Sequence, residues 1–431
     1  MRLACLPLLG IFAAHLCDAA PPGQCGFAFT PISLEWCNQS SPTLHAINNS
    51  GVAVGSTNWC NPGARRAARW TEQEGVVLLP LPLGESVAID INERGTIAGT
   101  GWPQGGGHPS QGWIYKDGVY TVIPKTGTAG QLVVTGLLED DTVFGFTYHD
   151  DYPGLRAFLL RDGVFLPVPE ALSSADCTPR GGSRGHSGHP GYIVGAIDAP
   201  PVYPSWSNTI AFRWDIVTGE VVTYVAPPPY FRAEGRACTP DGRIFGRCHV
   251  LAEIFGSVTN RYRTLEETPK RPLVLEPIPE NDGIDFIEVT DQGFALGTSR
   301  CQGACNCDGT PCYPWWKKRA VLWRGGELVD LLAEAFEEVG LAVAVEGMAI
   351  NDYGEMIVSS AAGVGCYLIR PLQPPGDVDF DCSVGMKDLM LVLENWGDRG
   401  DALVAASDLD RDGVIGPRDL AEVLGGWTSQ E

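Results

Sequence analysis

Gly51-Val52-Ala53-Val54-Gly55 decides the fold, because the same short pattern returns along most of the chain. It recurs as Gly95-Thr96-Ile97-Ala98-Gly99, Gly191-Tyr192-Ile193-Val194-Gly195, Gly242-Arg243-Ile244-Phe245-Gly246 and Gly293-Phe294-Ala295-Leu296-Gly297. Degenerate copies run from Asp141 to Gly145 and from Gly354 to Val358. The last residues of successive copies are 44, 46, 50, 51, 51 and 61 positions apart, a regular period with loop insertions. Each copy follows a turn rich in Asn, Asp and Gly, and its short uncharged centre suits a fully buried strand.

Two further strands follow in each unit. Ala67-Ala68-Arg69-Trp70 leads to Val76–Leu79, and Gly112-Trp113-Ile114-Tyr115 leads to Val119–Ile123. Ala157–Leu160, Ala211–Trp214 and Ala320–Trp323 hold the same place in later units. Asp117-Gly118, Asp162-Gly163, Thr218-Gly219 and Gly325-Gly326 supply the positive φ that a two-residue hairpin requires. Each unit therefore reads as a small antiparallel sheet. A hairpin repeat of this period predicts an all-β repeat domain over residues 20–375, a seven-bladed β-propeller in preference to a β-solenoid. Gly26-Phe27-Ala28-Phe29 looks like the second-strand motif without its opening unit, and is expected to complete the final blade and remove an exposed edge. The apolar spacing of Leu331, Leu332, Ala335, Phe336 and Val339 predicts a short helix over Leu328–Val339.

These units resemble the HAF repeats of exported bacterial proteins, named for a His-Ala-Phe motif. Arg156-Ala157-Phe158, Ile210-Ala211-Phe212 and Arg319-Ala320-Val321 stand in its place, and Asn48-Asn49-Ser50-Gly51 and Asn351-Asp352-Tyr353-Gly354 match the family's turn. No copy keeps the His. The resemblance implies location more than activity.

The 431 residues are 44% hydrophobic and 19% charged, the composition of a folded protein, and the net charge of -22 disfavours nucleic acid and anionic lipid as partners. Arg2, the apolar run Leu3–Leu16 and small residues at Cys17, Ala19 and Ala20 predict an export signal over residues 1–19. That run is too short to span a membrane, so the mature protein is expected to be secreted, extracellular or attached at the cell surface. Twelve cysteines remain beyond the signal, an even number for which disulfides are the default in an oxidising compartment. Cys301, Cys305, Cys307 and Cys312 lack the paired C-x2-C knuckles of a zinc site, and their spacing favours two local disulfides over zinc, with the pairing left open.

From Gly376 onward thirteen acidic residues face only four basic ones. Asp377, Asp379 and Asp381 are followed by Asp388 at position 12 of a loop, and the pattern returns as Asp408, Asp410, Asp412 and Asp419. Carboxylates at 1, 3, 5 and 12, with backbone carbonyls at position 7 from Ser383 and Val414, wrap oxygens around one Ca2+ per loop in EF-hand fashion. Leu389, Val392, Leu393 and Trp396 recur at the same offset as Leu420, Val423, Leu424 and Trp427, one apolar stripe on each of two helices. Val384 and Ile415 share the same apolar loop position.

Twin loop-helix halves of this length closely resemble a type I dockerin over residues 376–428, and the resemblance implies that residues 376–431 form a small α-helical calcium-binding module. One position departs from the family: Gly413 stands at loop position 6 of the second half, but Cys382 at that of the first. The first site is expected to bind more weakly, or Cys382 to be held by a disulfide, with Cys366 as a candidate. In dockerins, loop positions 10 and 11 meet a cohesin domain. The resemblance thus implies a cohesin-like partner at Met386, Lys387, Pro417 and Arg418.

No catalytic constellation stands out. His186 and His189 lie in a Gly/Ser loop without an acid cluster, adjacent carboxylates such as Glu139-Asp140-Asp141 seldom form a catalytic pair, and no G-x-S-x-G, phosphate loop or HExxH is present. The expected function is therefore non-catalytic: a secreted repeat or binding protein, a glycan among its candidate ligands, attached outside the cell through a calcium-dependent module. The alternative is a dockerin-borne polysaccharide-active enzyme, a glycoside hydrolase or lyase with a propeller catalytic domain.

Overall fold

Pro42–Ile47, Ala53–Asn58, Arg65–Thr71 and Gly75–Leu78 pair in chain order as one antiparallel sheet. This computed structural model describes residues 26–427 apart from connecting stretches, the longest being 33–41, 183–190, 301–317 and 332–345. Five more four-stranded sheets in the same order begin at Glu85, Ala129, Cys177, Tyr230 and Gly283. A seventh joins Glu346–Ile350, Met356–Ser359 and Cys366–Pro371 to Phe27–Ile32, which pairs antiparallel with Cys366–Pro371 from Phe27↔Pro371 to Ile32↔Cys366. The first described strand of the chain is thus the outermost strand of its last sheet. The fold is an all-β repeat of the β-propeller type with few helices.

Each sheet holds one strand more than the repeat shows in sequence, and a β-bulge explains why. Leu44 pairs with Gly55 and Ala46 with Val54, which leaves His45 as an extra, unpaired residue. The same slip falls opposite Gly99, Gly145, Gly195, Gly246 and Gly297. A bulge shifts the alternation of side chains by one, so the inner strand carries no clean period of two. The bulge also explains the repeated glycine. A Cβ on Gly55 would lie 2.0 Å from the carbonyl oxygen of Thr43, a contact that only glycine avoids. In the seventh sheet Val358 takes the glycine's place, and there the strand opposite supplies Gly347 instead.

The turns at Asn48, Asn92 and Asn351 each bind their own sheet internally and the next sheet as well. Within the turn, Asn48 Oδ1 accepts the N–H of Val52 at 3.0 Å, Asn92 Oδ1 that of Thr96 at 3.0 Å, and Asn351 Oδ1 that of Glu355 at 2.9 Å. Between turns, Asn351 Nδ2 donates to Asn48 O at 3.0 Å, Asn48 Nδ2 to Asn92 O at 3.2 Å, and Asn92 Nδ2 to Leu138 O at 3.2 Å. The last repeat therefore donates to the first. The apolar cores follow the same circuit: Ala46, Ile91 and Trp113 pack between the first two sheets, and Ile47, Ala53, Ile357 and Leu368 between the last and the first.

Two expectations change. Glu327–Asp330 is a strand paired with Lys318–Arg324, with Leu328 opposite Trp323, so the helix expected from Leu328 does not begin there. The chain stays in the sheet from Glu327 to Asp330, a helical residue follows at Leu331, and residues 332–339 lie outside the described residues. Cys366 does not pair with Cys382: its buried thiol donates to the Pro42 carbonyl at 3.0 Å, and burial pushes its pKa up to about 11. Cys382 is disulfide-bonded, but not with Cys366. The signal, the Cys301–Cys312 group, His186 and His189 also lie outside the described residues. Among the described residues no helix is long and apolar enough to cross a membrane.

Candidate metal centre

Beyond Pro371 the chain makes two loops, each running into a helix, Met386–Glu394 and Pro417–Trp427. A carboxylate of each helix's first turn organises the loop before it. Asp388 Oδ1 accepts the N–H groups of Val378 at 2.7 Å and Asp379 at 3.2 Å, and its Oδ2 accepts that of Gly385 at 2.7 Å. Asp419 repeats these bonds with Leu409 at 2.7 Å, Asp410 at 3.2 Å and Gly416 at 2.7 Å. The bond back to Gly385 or Gly416 also satisfies an amide that the helix start would otherwise leave open.

Position 1 behaves the same way in both halves. Asp377 accepts from Asp381 N at 3.1 Å and Cys382 N at 2.9 Å, and Asp408 from Asp412 N at 3.1 Å and Gly413 N at 3.0 Å. Cys382 adopts φ +69° where Gly413 has +84°, so the residue change leaves the loop path intact. A left-handed non-glycine residue costs about 1 kcal/mol, and the disulfide at Cys382 restrains it there. Ser383 and Val414, at position 7, each donate an N–H to the position-5 carboxylate at 3.0 Å.

One oxygen from each of Asp377, Asp379 and Asp388 falls within a 4.8 Å set, as does one from each of Asp408, Asp410 and Asp412. Burial, then repulsion from Asp388, Asp379 and Asp381, pushes the Asp377 carboxyl up to about 7, and burial likewise raises Asp408 and Asp379. Gathered carboxylates that resist ionisation are what a cation would relieve. Hard oxygen donors without His or thiolate fit Ca2+ rather than zinc. Asp377, Asp379, Asp381 and Asp388 would hold one ion, and Asp408, Asp410, Asp412 and Asp419 a second.

The four residues expected to meet a partner are all exposed. Lys387 lies 3.4 Å from Asp379 Oδ2 and 3.7 Å from Asp381 Oδ2, and Arg418 lies 3.4 Å from Asp410 Oδ2 and 3.8 Å from Asp412 Oδ2. Each basic side chain spans the mouth of its own loop. The apolar stripes divide: Val392 and Val423 are buried, while Leu393, Trp396 and Leu424 are close to half exposed. Sequence reasoning missed the residues at loop position 4. Phe380 packs edge-on against Phe294 of the sixth sheet, and the Arg411 guanidinium stacks on Tyr353 of the seventh. One is aromatic and the other cationic, so the internal repeat gives no signal for either. In the repeat domain, Glu139, Asp140 and Asp141 are engaged by the Glu93 amide, Arg161 and Lys116 respectively.

No family model and no curated protein matches the chain. Solved structures do. The β-propeller domain of the Trilobed protease from Pyrococcus furiosus is similar at TM-score 0.48 and 9% identity, over 78% of this chain and 96% of that one. Pyrococcus horikoshii acylaminoacyl peptidase is similar at TM-score 0.45 and 11% identity, over 78% of this chain and 54% of that one. The tricorn protease is similar at TM-score 0.47 and 11% identity, over 96% of this chain and 42% of that one. This chain spans about half the length of those two peptidases or less, and the likeness concerns the fold alone.

Proposed function

We propose that this chain is an exported, non-catalytic repeat protein whose seven sheets are the blades of one closed propeller. Its C-terminal loops bind two calcium ions and present a dockerin-like face to a cohesin-like partner. The observation that carries this reading is the bond-for-bond equivalence of the two loops, in which Asp388 and Asp419 accept matching sets of three amides. A solvated acidic tail has no reason to build the same cage twice. Ring closure is supported by the Asn351–Asn48 bond and by the core shared between the last sheet and the first. The engaged Glu139-Asp140-Asp141 carboxylates favour a binding role over hydrolysis.

The test is capture of the full chain on immobilised cohesin domains in calcium and in EGTA. Capture that requires calcium, and that Lys387→Ala with Arg418→Ala weakens, is the expected outcome. Capture unaffected by EGTA, or none in either buffer, contradicts the partner assignment.

A further inference from the structure

Phe380 lies between Asp379 and Asp381, and Arg411 between Asp410 and Asp412. Both take a left-handed backbone, φ +60° and +56°, which turns them out of the loop while their neighbours turn in. Both reach the same place. The Phe380 ring centroid is 5.0 Å from that of Phe294 at 76°, and its edge lies 3.0 Å from where a Cβ on Gly354 would stand. The Arg411 guanidinium carbon is 4.1 Å from the Tyr353 ring centroid, and Nη2 lies 3.4 Å from Glu355 Oε1.

Glu355 is no ordinary surface partner. It is 3% exposed, it accepts from Asn351 Nδ2 at 2.8 Å, and it pairs with Arg370 at 3.2 Å. Arg370 stands opposite Ala28 in the register that joins the two ends of the chain. Asn351 carries the bond to Asn48 across the same junction. One apolar cluster runs without a break from Phe27, Ile350 and Met356 through Phe294 and Phe380 to Val378, Val392, Ile415 and Val423.

We infer that the C-terminal module is a calcium-set clasp on the closing sheet of the propeller. A cation drawn to the carboxylates at positions 3 and 5 fixes the backbone of the residue between them. That residue, Phe380 or Arg411, is the one seated on the sixth and seventh sheets. Calcium affinity and the stability of the Phe27–Ile32 closure are then thermodynamically linked, and each must change the other by the same factor. This rests on the calcium reading above but does not need a cohesin-like partner.

The experiment is hydrogen exchange of the full chain in calcium and in EGTA, read at amides of Phe27–Ile32 and Cys366–Pro371, with calcium binding measured on the same samples by titration calorimetry. Calcium should slow exchange in these strands by about tenfold, within the usual range for coupled sites. Arg411→Ala should remove most of that slowing and weaken calcium binding, and Arg411→Lys should restore part of both. Arg411 is half exposed, so its truncation tests the contact without opening the core. Calcium uptake with unchanged exchange in both strands overturns the clasp and leaves the calcium reading standing. Absence of calcium uptake overturns both.

Discussion

Asn351 Nδ2 lies 3.0 Å from the carbonyl oxygen of Asn48, 303 positions earlier in the chain. Asn351 is fully buried, and its side chain also binds Glu355 through both its Nδ2 and its Oδ1. Asn351→Ala should therefore leave the Asn48 carbonyl and the Glu355 amide without those partners and cost about 2–4 kcal/mol. Urea unfolding in calcium buffer checks this. A loss below about 0.5 kcal/mol would mean that the junction is not held by this amide.

Adjacent glycines in the last helix separate propensity from packing. Gly425 has open space around its Cβ position, whereas a Cβ on Gly426 would lie 2.1 Å from the Pro375 carbonyl. Gly425→Ala should stabilise the module by up to about 1 kcal/mol through helix propensity. Gly426→Ala should destabilise it by forcing the helix off the Pro375 segment. Thermal melts showing equal effects would contradict the observed packing.

His45, the bulged residue of the first inner strand, has its pKa lowered to about 4, first by burial and then by Arg65. Its folded pKa is below its unfolded value of about 6.5, so the unfolded chain binds more protons between these limits. The contribution of neutral His45 is present above pH 6.5 and is lost as pH falls toward 4, on the order of 2 kcal/mol after allowance for its partial exposure. Chemical denaturation of the wild type and His45→Gln from pH 7 to 4 measures it. The variant should lose less stability over that window, and parallel curves would contradict the assignment.

Much of this architecture is legible in the sequence, and the exceptions have physical causes. Gly55 and its copies mark a strand because the backbone opposite comes too close for any side chain, and that constraint is visible as a bare repeat. Gly26-Phe27-Ala28-Phe29 reads as a strand of the last sheet from its likeness to the second-strand motif; Phe27–Ile32 does join that sheet, but as its outermost strand rather than its second. The inner strand was hidden because His45 and its equivalents break the alternation that announces a strand. The Asp spacing exposes both loops, since Asp388 and Asp419 must reach back to the same three loop amides in each half. It is silent on Phe380 and Arg411, whose roles depend on Phe294, Tyr353 and Glu355, residues of other repeats. A disulfide at Cys382 is one of the two expectations the sequence supports and Cys382 is disulfide-bonded, but the candidate partner Cys366 is free, its thiol donating to the Pro42 carbonyl.

Calcium titration of the full chain by calorimetry tests the central claim most directly. Two ions should bind per chain at pH 7.5, and Asp388→Ala and Asp419→Ala should each abolish one of them. Affinity at the first loop should fall as pH drops through 7, because the Asp377 carboxyl, pushed up to about 7, must release a proton to bind the ion. Absence of binding at millimolar calcium, or two ions still bound by both variants, would contradict the account.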